Sequence, residues 1–110
     1  MKTSPMQRSL KMLREQGYLC AIVEKYNFFV HIRQDLFGVA DILCLKGGKT
    51  LAIQTTSDNG GNVSAHSKKI KDNPNYKAIK KAGWEIHLHG WGKKGKRGKR
   101  KLWTCRIIKL

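Results

Sequence analysis

The residues of this chain best suited to chemistry lie within residues 39–56. There Asp41, Gln54 and Thr56 interrupt two apolar runs, Ile42-Leu43-Cys44-Leu45 and Leu51-Ala52-Ile53, separated by Lys46-Gly47-Gly48-Lys49. A Gly-Gly centre between such runs predicts a tight β-hairpin. Pairing across it sets Leu45 opposite Thr50, Leu43 opposite Ala52 and Asp41 opposite Gln54. Opposed residues share a sheet face, with Cβ atoms roughly 4.5–5.5 Å apart. Thr56 follows on that face two residues further along. A carboxylate, an amide and a hydroxyl thus converge at the open end of the hairpin. An unpaired aspartate in an apolar strand costs on the order of several kcal/mol, so Asp41 needs a partner. One reading gives it a cap or a lysine; the other makes it the ligand of a hard cation facing a phosphodiester. Mg²⁺ takes oxygen donors and keeps several waters, so one or two carboxylates plus a phosphate suffice. Glu24 is the second carboxylate candidate, or else a solvated charge at the end of a strand.

The elements that must position these groups are legible in outline. Ser4-Pro5 predicts a helix start with a capping side chain, and Gly17 its stop, with Met6, Leu10 and Leu13 on the apolar face. A strand is expected over 18–24, and residues 28–32 read as an extension or an irregular return. Gln34-Asp35-Leu36-Phe37-Gly38 reads as a turn into the hairpin. Residues 57–62 form a loop, Ser64 caps a helix to about residue 71, and Asp72-Asn73-Pro74 breaks it. A second helix over 75–82 ends at Gly83, and strands follow over 84–91 and 102–110. The pattern predicts one domain over 1–110, an α/β sandwich with a mixed sheet and a basic hairpin tip at 92–101.

The charge balance narrows the partners. Lysines and arginines number 23 against 7 acids, giving +16 and a pI near 10.2. Self-repulsion at that charge points to a polyanion, with nucleic acid first and an acidic membrane surface second. No segment approaches the roughly 18 apolar residues of a membrane span, and the N-terminus lacks a signal-peptide run. Cys20, Cys44 and Cys105 are odd in number and widely spaced, which fits buried free thiols in a reducing cytoplasm. Lys93, Lys94, Lys96, Arg97, Lys99, Arg100 and Lys101, interleaved with glycines, form a tip able to follow a phosphate backbone, or a solvated loop. Lys68, Lys69, Lys71, Lys77, Lys80 and Lys81 add a strip on the helices. Trp91 and Trp103 flank the tip, to pack together across it or to stack on bases. His87 and His89 alternate on what reads as an exposed strand face.

Phe37-Gly38-Val39-Ala40-Asp41-Ile42-Leu43, followed after the turn by Leu51-Ala52-Ile53-Gln54-Thr55-Thr56, resembles the core of the PD-(D/E)XK nuclease superfamily. The closest similarity is to its Holliday-junction-resolvase-like branch and to similar small phage-encoded proteins. The resemblance covers roughly residues 4–91 and implies a restriction-endonuclease-like αβββαβ core, its mixed central sheet flanked by helices. It further implies a homodimeric endonuclease that hydrolyses branched or junction DNA with Mg²⁺ or Mn²⁺, in a bacterial or phage-infected cytoplasm. Gly38 and Asp41 match the family's Gly-x-x-Asp, which supplies the first metal ligand. Gln54-Thr55-Thr56 stands where the family has Glu-x-Lys, so an amide replaces the second carboxylate and a hydroxyl replaces the lysine that orients water. Gln7 stands near a helix acid of the family, for which Glu24 is a substitute. The implied metal ligands are Asp41, Gln54 and Glu24. Thr56 and a lysine displaced to the next helix, Lys69 or its neighbour Lys68, would position water or offset charge. The departures at Gln54 and Thr56 define an alternative, a catalytically weak or inactive DNA-binding module of the same fold. A third reading, a basic RNA-binding protein of the ribosomal sort, fits the size and pI but not the pairing of Asp41 with Gln54.

Overall fold

The computed structural model describes residues 3–95 and 101–110; Lys96, Arg97, Lys99 and Arg100 of the basic tip lie outside the described residues. Helix α1 (Pro5–Glu15) begins as its sequence dictates, with Ser4 Oγ accepting the Gln7 N–H at 3.2 Å and Pro5 in the first turn. Strand β1 (Leu19–Ile22) follows, then β2 (Lys25–Asn27) and β3 (Ile32–Gln34), which pair only with each other. Next come β4 (Ile42–Lys46) and β5 (Lys49–Ser57), then α2 (Asn62–Lys71), α3 (Tyr76–Lys81), β6 (Glu85–Lys94) and β7 (Leu102–Lys109). The main sheet has the order β1-β4-β5-β6-β7. All neighbours are antiparallel except β5 and β6, whose parallel pairing requires the crossover that α2 and α3 provide. The class is mixed α/β.

Alternation along the strands gives each face its own core. Leu10 and Leu13 of α1 pack on Ile42, Cys44, Leu51 and Ile53. On the opposite face Val63, Ile70 and Ile79 of α2 and α3 pack on Ala52, Ile86 and Leu88. Gly90 lets α2 approach β6 closely, since a Cβ there would lie 2.6 Å from Val63 Cγ2. No helix among the described residues is long and apolar enough to cross a membrane.

The central hairpin follows the sequence closely. Gly47 and Gly48 both have positive φ (51° and 81°), as a type I′ turn requires, and Leu45 pairs with Thr50 and Leu43 with Ala52. Other expectations need correction. The first strand is shorter than 18–24, and residues 28–32 do not extend it; most of them form the turn of the separate β2–β3 hairpin. Helix α2 begins at Asn62, with Gly61 at φ 87° as its N-cap, so Ser64 does not cap it.

The most consequential correction concerns His89 and Trp91, which are 1% and 9% exposed. Both point at α1 rather than at water or at Trp103. The Trp91 indole N–H donates to Ser9 Oγ at 2.8 Å, and the same hydroxyl meets His89 Nδ1 at 2.8 Å. Burial, with a smaller contribution from His87, pushes the His89 pKa down to about 4, so its ring is neutral at neutral pH. Indole can only donate, so the serine proton is free to serve the imidazole nitrogen. Trp103 instead lies beneath the Arg8 guanidinium, 3.9 Å from the ring centre. Replacing Ser9 with Ala leaves two buried ring nitrogens without their partner. The expected cost is about 1–3 kcal/mol, read as a lower urea midpoint with an unchanged slope.

Candidate metal centre

The site forms where the hairpin register breaks. Ile42 pairs with Ile53, yet the Asp41 N–H also reaches Ile53 O, at 2.8 Å. Two residues of one strand thus address one residue of the other, the pattern of a β-bulge, which re-aims the extra side chain. The Asp41 carboxylate accepts the Thr55 N–H at 3.0 Å and the Thr55 hydroxyl at 3.1 Å, both at Oδ2. Thr55, not Thr56, is therefore the threonine that contacts Asp41. The alternation that put Thr56 beside it fails at the bulge.

Two further carboxylates meet Asp41. Glu24 lies just before β2 and Asp35 just after β3, and one ligand oxygen from each of Glu24, Asp35 and Asp41 lies within 4.8 Å of the others. Backbone bonds hold these residues in place. Val23 N–H donates to Asp41 O (2.8 Å), Leu36 N–H to Ala40 O (2.9 Å), and Gly38 N–H to Asp35 O (3.0 Å). Phe37 and Gly38 turn the chain with positive φ, 56° and 76°. The cluster opens into a cleft of about 360 Å³, walled on one side by Ser4, Pro5 and Met6 at the start of α1.

Gln54 lines the same cleft and is buried. In one orientation its Nε2 lies only within 3.4–3.5 Å of the Asp41 oxygens. With the amide turned over, Nε2 donates to Val39 O at 2.8 Å and to Asp35 Oδ2 at 3.1 Å. The second orientation has the better hydrogen bonds and turns Oε1 toward Asp41. Three carboxylates and an amide oxygen then face one space, a donor set suited to a hard divalent cation such as Mg²⁺ or Mn²⁺.

Of the residues singled out in the sequence, Asp41, Gln54 and Glu24 come together. Lys69 is exposed on α2 and lines a neighbouring cleft of about 450 Å³ that shares Asp35 as a wall. Lys68 is exposed on the same helix. Gln7 does not line the carboxylate cleft; it lines a separate hollow with Lys11 and Arg14. In the basic tip, Lys93, Lys94 and Lys101 are exposed, and Lys94 is held by Asp58 at 2.9 Å. Asp35 and Thr55 are the residues that sequence reasoning missed. The spacing of Asp35 and Asp41 about a turn containing Gly38 was the available signal for Asp35. No family model, curated protein or solved structure matches the chain.

Burial first, and then the neighbouring Asp35, push the Asp41 pKa from its ordinary 3.8 up to about 7, against the hydrogen bonds from Thr55. The folded protein therefore holds this proton more tightly than the unfolded chain does. The associated stability is complete below pH 4 and is lost as the pH rises through 7. Relative to Asp41→Asn, the metal-free wild type should lose up to about 4 kcal/mol of unfolding free energy across that window, at ~1.36 kcal/mol per pKa unit. Urea titrations at a series of pH values measure the difference; a flat difference would mean an ordinary carboxylate.

Proposed function

We propose that this protein is a metal-dependent endonuclease that hydrolyses phosphodiesters in branched DNA, on a restriction-endonuclease-like core and as a homodimer. The observation that carries the reading is the convergence of Glu24, Asp35 and Asp41 at the end of the central hairpin. It answers the chief objection from sequence, because the charge that Gln54 cannot supply is available from Asp35. Element order supports the core: without the β2–β3 hairpin, the chain runs α1-β1-β4-β5-α2-α3-β6. Both sheet edges, β1 and β7, expose apolar side chains such as Leu19 and Leu102, which suits strand-edge association of two copies. The net charge of +16 suits a polyanionic substrate.

Glu24, Asp35, Asp41 and the Gln54 amide oxygen would hold the cation. Bound there, it would supply Lewis-acid polarisation of the phosphate and acidify a water nucleophile. The chain's own residues do the rest. Thr55 fixes the Asp41 carboxylate through two hydrogen bonds. Lys69, which lines the adjoining cleft together with Asp35, would offset charge on the phosphorane as water attacks phosphorus and the ester oxygen leaves. The tip cations Lys93, Lys94, Lys96, Arg97, Lys99, Arg100 and Lys101, with Lys68, would track the phosphate backbone.

The test is incubation with four-way junctions and linear duplex in Mg²⁺ or Mn²⁺. Junction cleavage should fall at least about 100-fold in Asp41→Asn while binding persists, the size of loss typical when a transition-state stabiliser is removed. Binding without cleavage in either metal would leave a DNA-binding module instead. Replacing Lys96, Arg97, Lys99, Arg100 and Lys101 with Ser, and sparing Lys94 for its Asp58 bridge, should lower the salt slope of binding. The slope should fall by about 0.9 for each phosphate that is no longer neutralised. An unchanged slope would remove the tip from the interface.

A further inference from the structure

The β2–β3 hairpin couples an apolar tip to the acidic cluster. Its stem is bounded by Glu24 and Asp35, two of the three clustered carboxylates. Its tip leaves Phe28, Phe29 and Val30 exposed at 77%, 96% and 56%. The tip is braced from within. Asn27 Oδ1 accepts the Phe29 N–H at 2.9 Å, Tyr26 and Phe28 stack edge to face at 4.9 Å, and Tyr26 Oη meets His31 Nδ1 at 3.3 Å. Such bracing lowers the cost of ordering the tip around a ligand.

We propose that this hairpin is a wedge whose Phe28 and Phe29 stack on, or insert between, nucleobases unstacked at a branch point, setting the substrate class of the cluster at its base. The inference rests on the nuclease reading above. Charge selects the occupant: a chain carrying +16 attracts a polyanion, and aromatic rings at the tip of a basic protein suit the bases of that polyanion. Chemistry agrees, because aromatic side chains stack on bases without regard to sequence, and apolar wedges open base steps. Reach is also suitable. Phe28 and Phe29 stand four and five residues beyond Glu24, at most about 13–17 Å at ~3.3 Å per residue. A strand advancing about 3.4 Å per nucleotide spans that distance in roughly four or five nucleotides. Cleavage should therefore fall within about five nucleotides of the branch.

The experiment uses the full chain in EDTA at about 0.15 M salt, where non-specific electrostatic binding is weakened. The probes are a four-way junction with 2-aminopurine at the branch and a linear duplex with the same label. Wild type should raise the junction fluorescence, and Phe28→Ala/Phe29→Ala should abolish the rise. The double variant should bind the junction roughly fivefold or more weakly and the duplex about as before, and Phe29→Trp should retain the signal. Cleavage of junctions by wild type, with fluorescence and junction preference intact in the double variant, would overturn the wedge and leave the nuclease reading standing. Failure of wild type to bind either probe would overturn both. A sedimenting dimer that the double variant converts to monomer would reassign the tip as a contact between copies and overturn the wedge.

Discussion

The Asp41 carboxylate completes a β-ladder that the backbone leaves unfinished. At the bulge, Asp41 and Ile42 both address Ile53, and the Thr55 N–H two residues on takes the Asp41 side chain as its acceptor. A strand N–H shielded from water without an acceptor is costly, and this half-buried bond therefore serves the sheet as well as the site. It also ties the cluster to the register of the whole hairpin. Gly47 and Gly48 fix the turn, the turn fixes the pairing, and the pairing decides where the bulge falls. A slip of one residue would exchange the faces of Ala52, Ile53 and Gln54 and dissolve both cores together with the cluster.

Charge makes the cluster more unusual than its size suggests. Three of the chain's 7 acids, Glu24, Asp35 and Asp41, face one another in a protein with 23 lysines and arginines. Among the other acids, Asp58 meets Lys94 and Arg106, and Glu85 lies 3.9 Å from His87. Electrostatics alone would have drawn lysines to Asp41. The fold brings carboxylates there instead, and the price appears in the raised pKa of Asp41.

What the sequence made legible was local. The helix start at Ser4-Pro5, the Gly47-Gly48 turn and the register out to Ile42 and Ile53 followed from turn chemistry and alternation, which placed Asp41 near Gln54 although their direct pairing gives way to the bulge. What it hid depended on distant partners. His89 alternates like an exposed residue because alternation cannot report that Ser9, on the first helix, waits across the sheet. Thr55 was passed over for Thr56 because a bulge leaves no mark in a periodic pattern. Asp35 reads as a turn residue, and its convergence on Asp41 depends on the Leu36–Ala40 bridge and the left-handed Phe37. The β2–β3 hairpin was blurred because its strands are short and its tip is apolar yet exposed.

Magnitudes show how strongly charge bears on the geometry of the cluster. Two unit charges 4.8 Å apart, the limit within which these ligand oxygens all lie, repel by roughly 3–4 kcal/mol at an effective dielectric near 20. Three ionised carboxylates would form three such pairs, about 10 kcal/mol in all. Against them stand the bonds from Val23, Leu36 and Gly38 that hold the three residues in place, worth about 1 kcal/mol each. A proton on Asp41 removes two of those three pairs, in keeping with its raised pKa. Any ion that takes the proton's place must bring positive charge to the same oxygens.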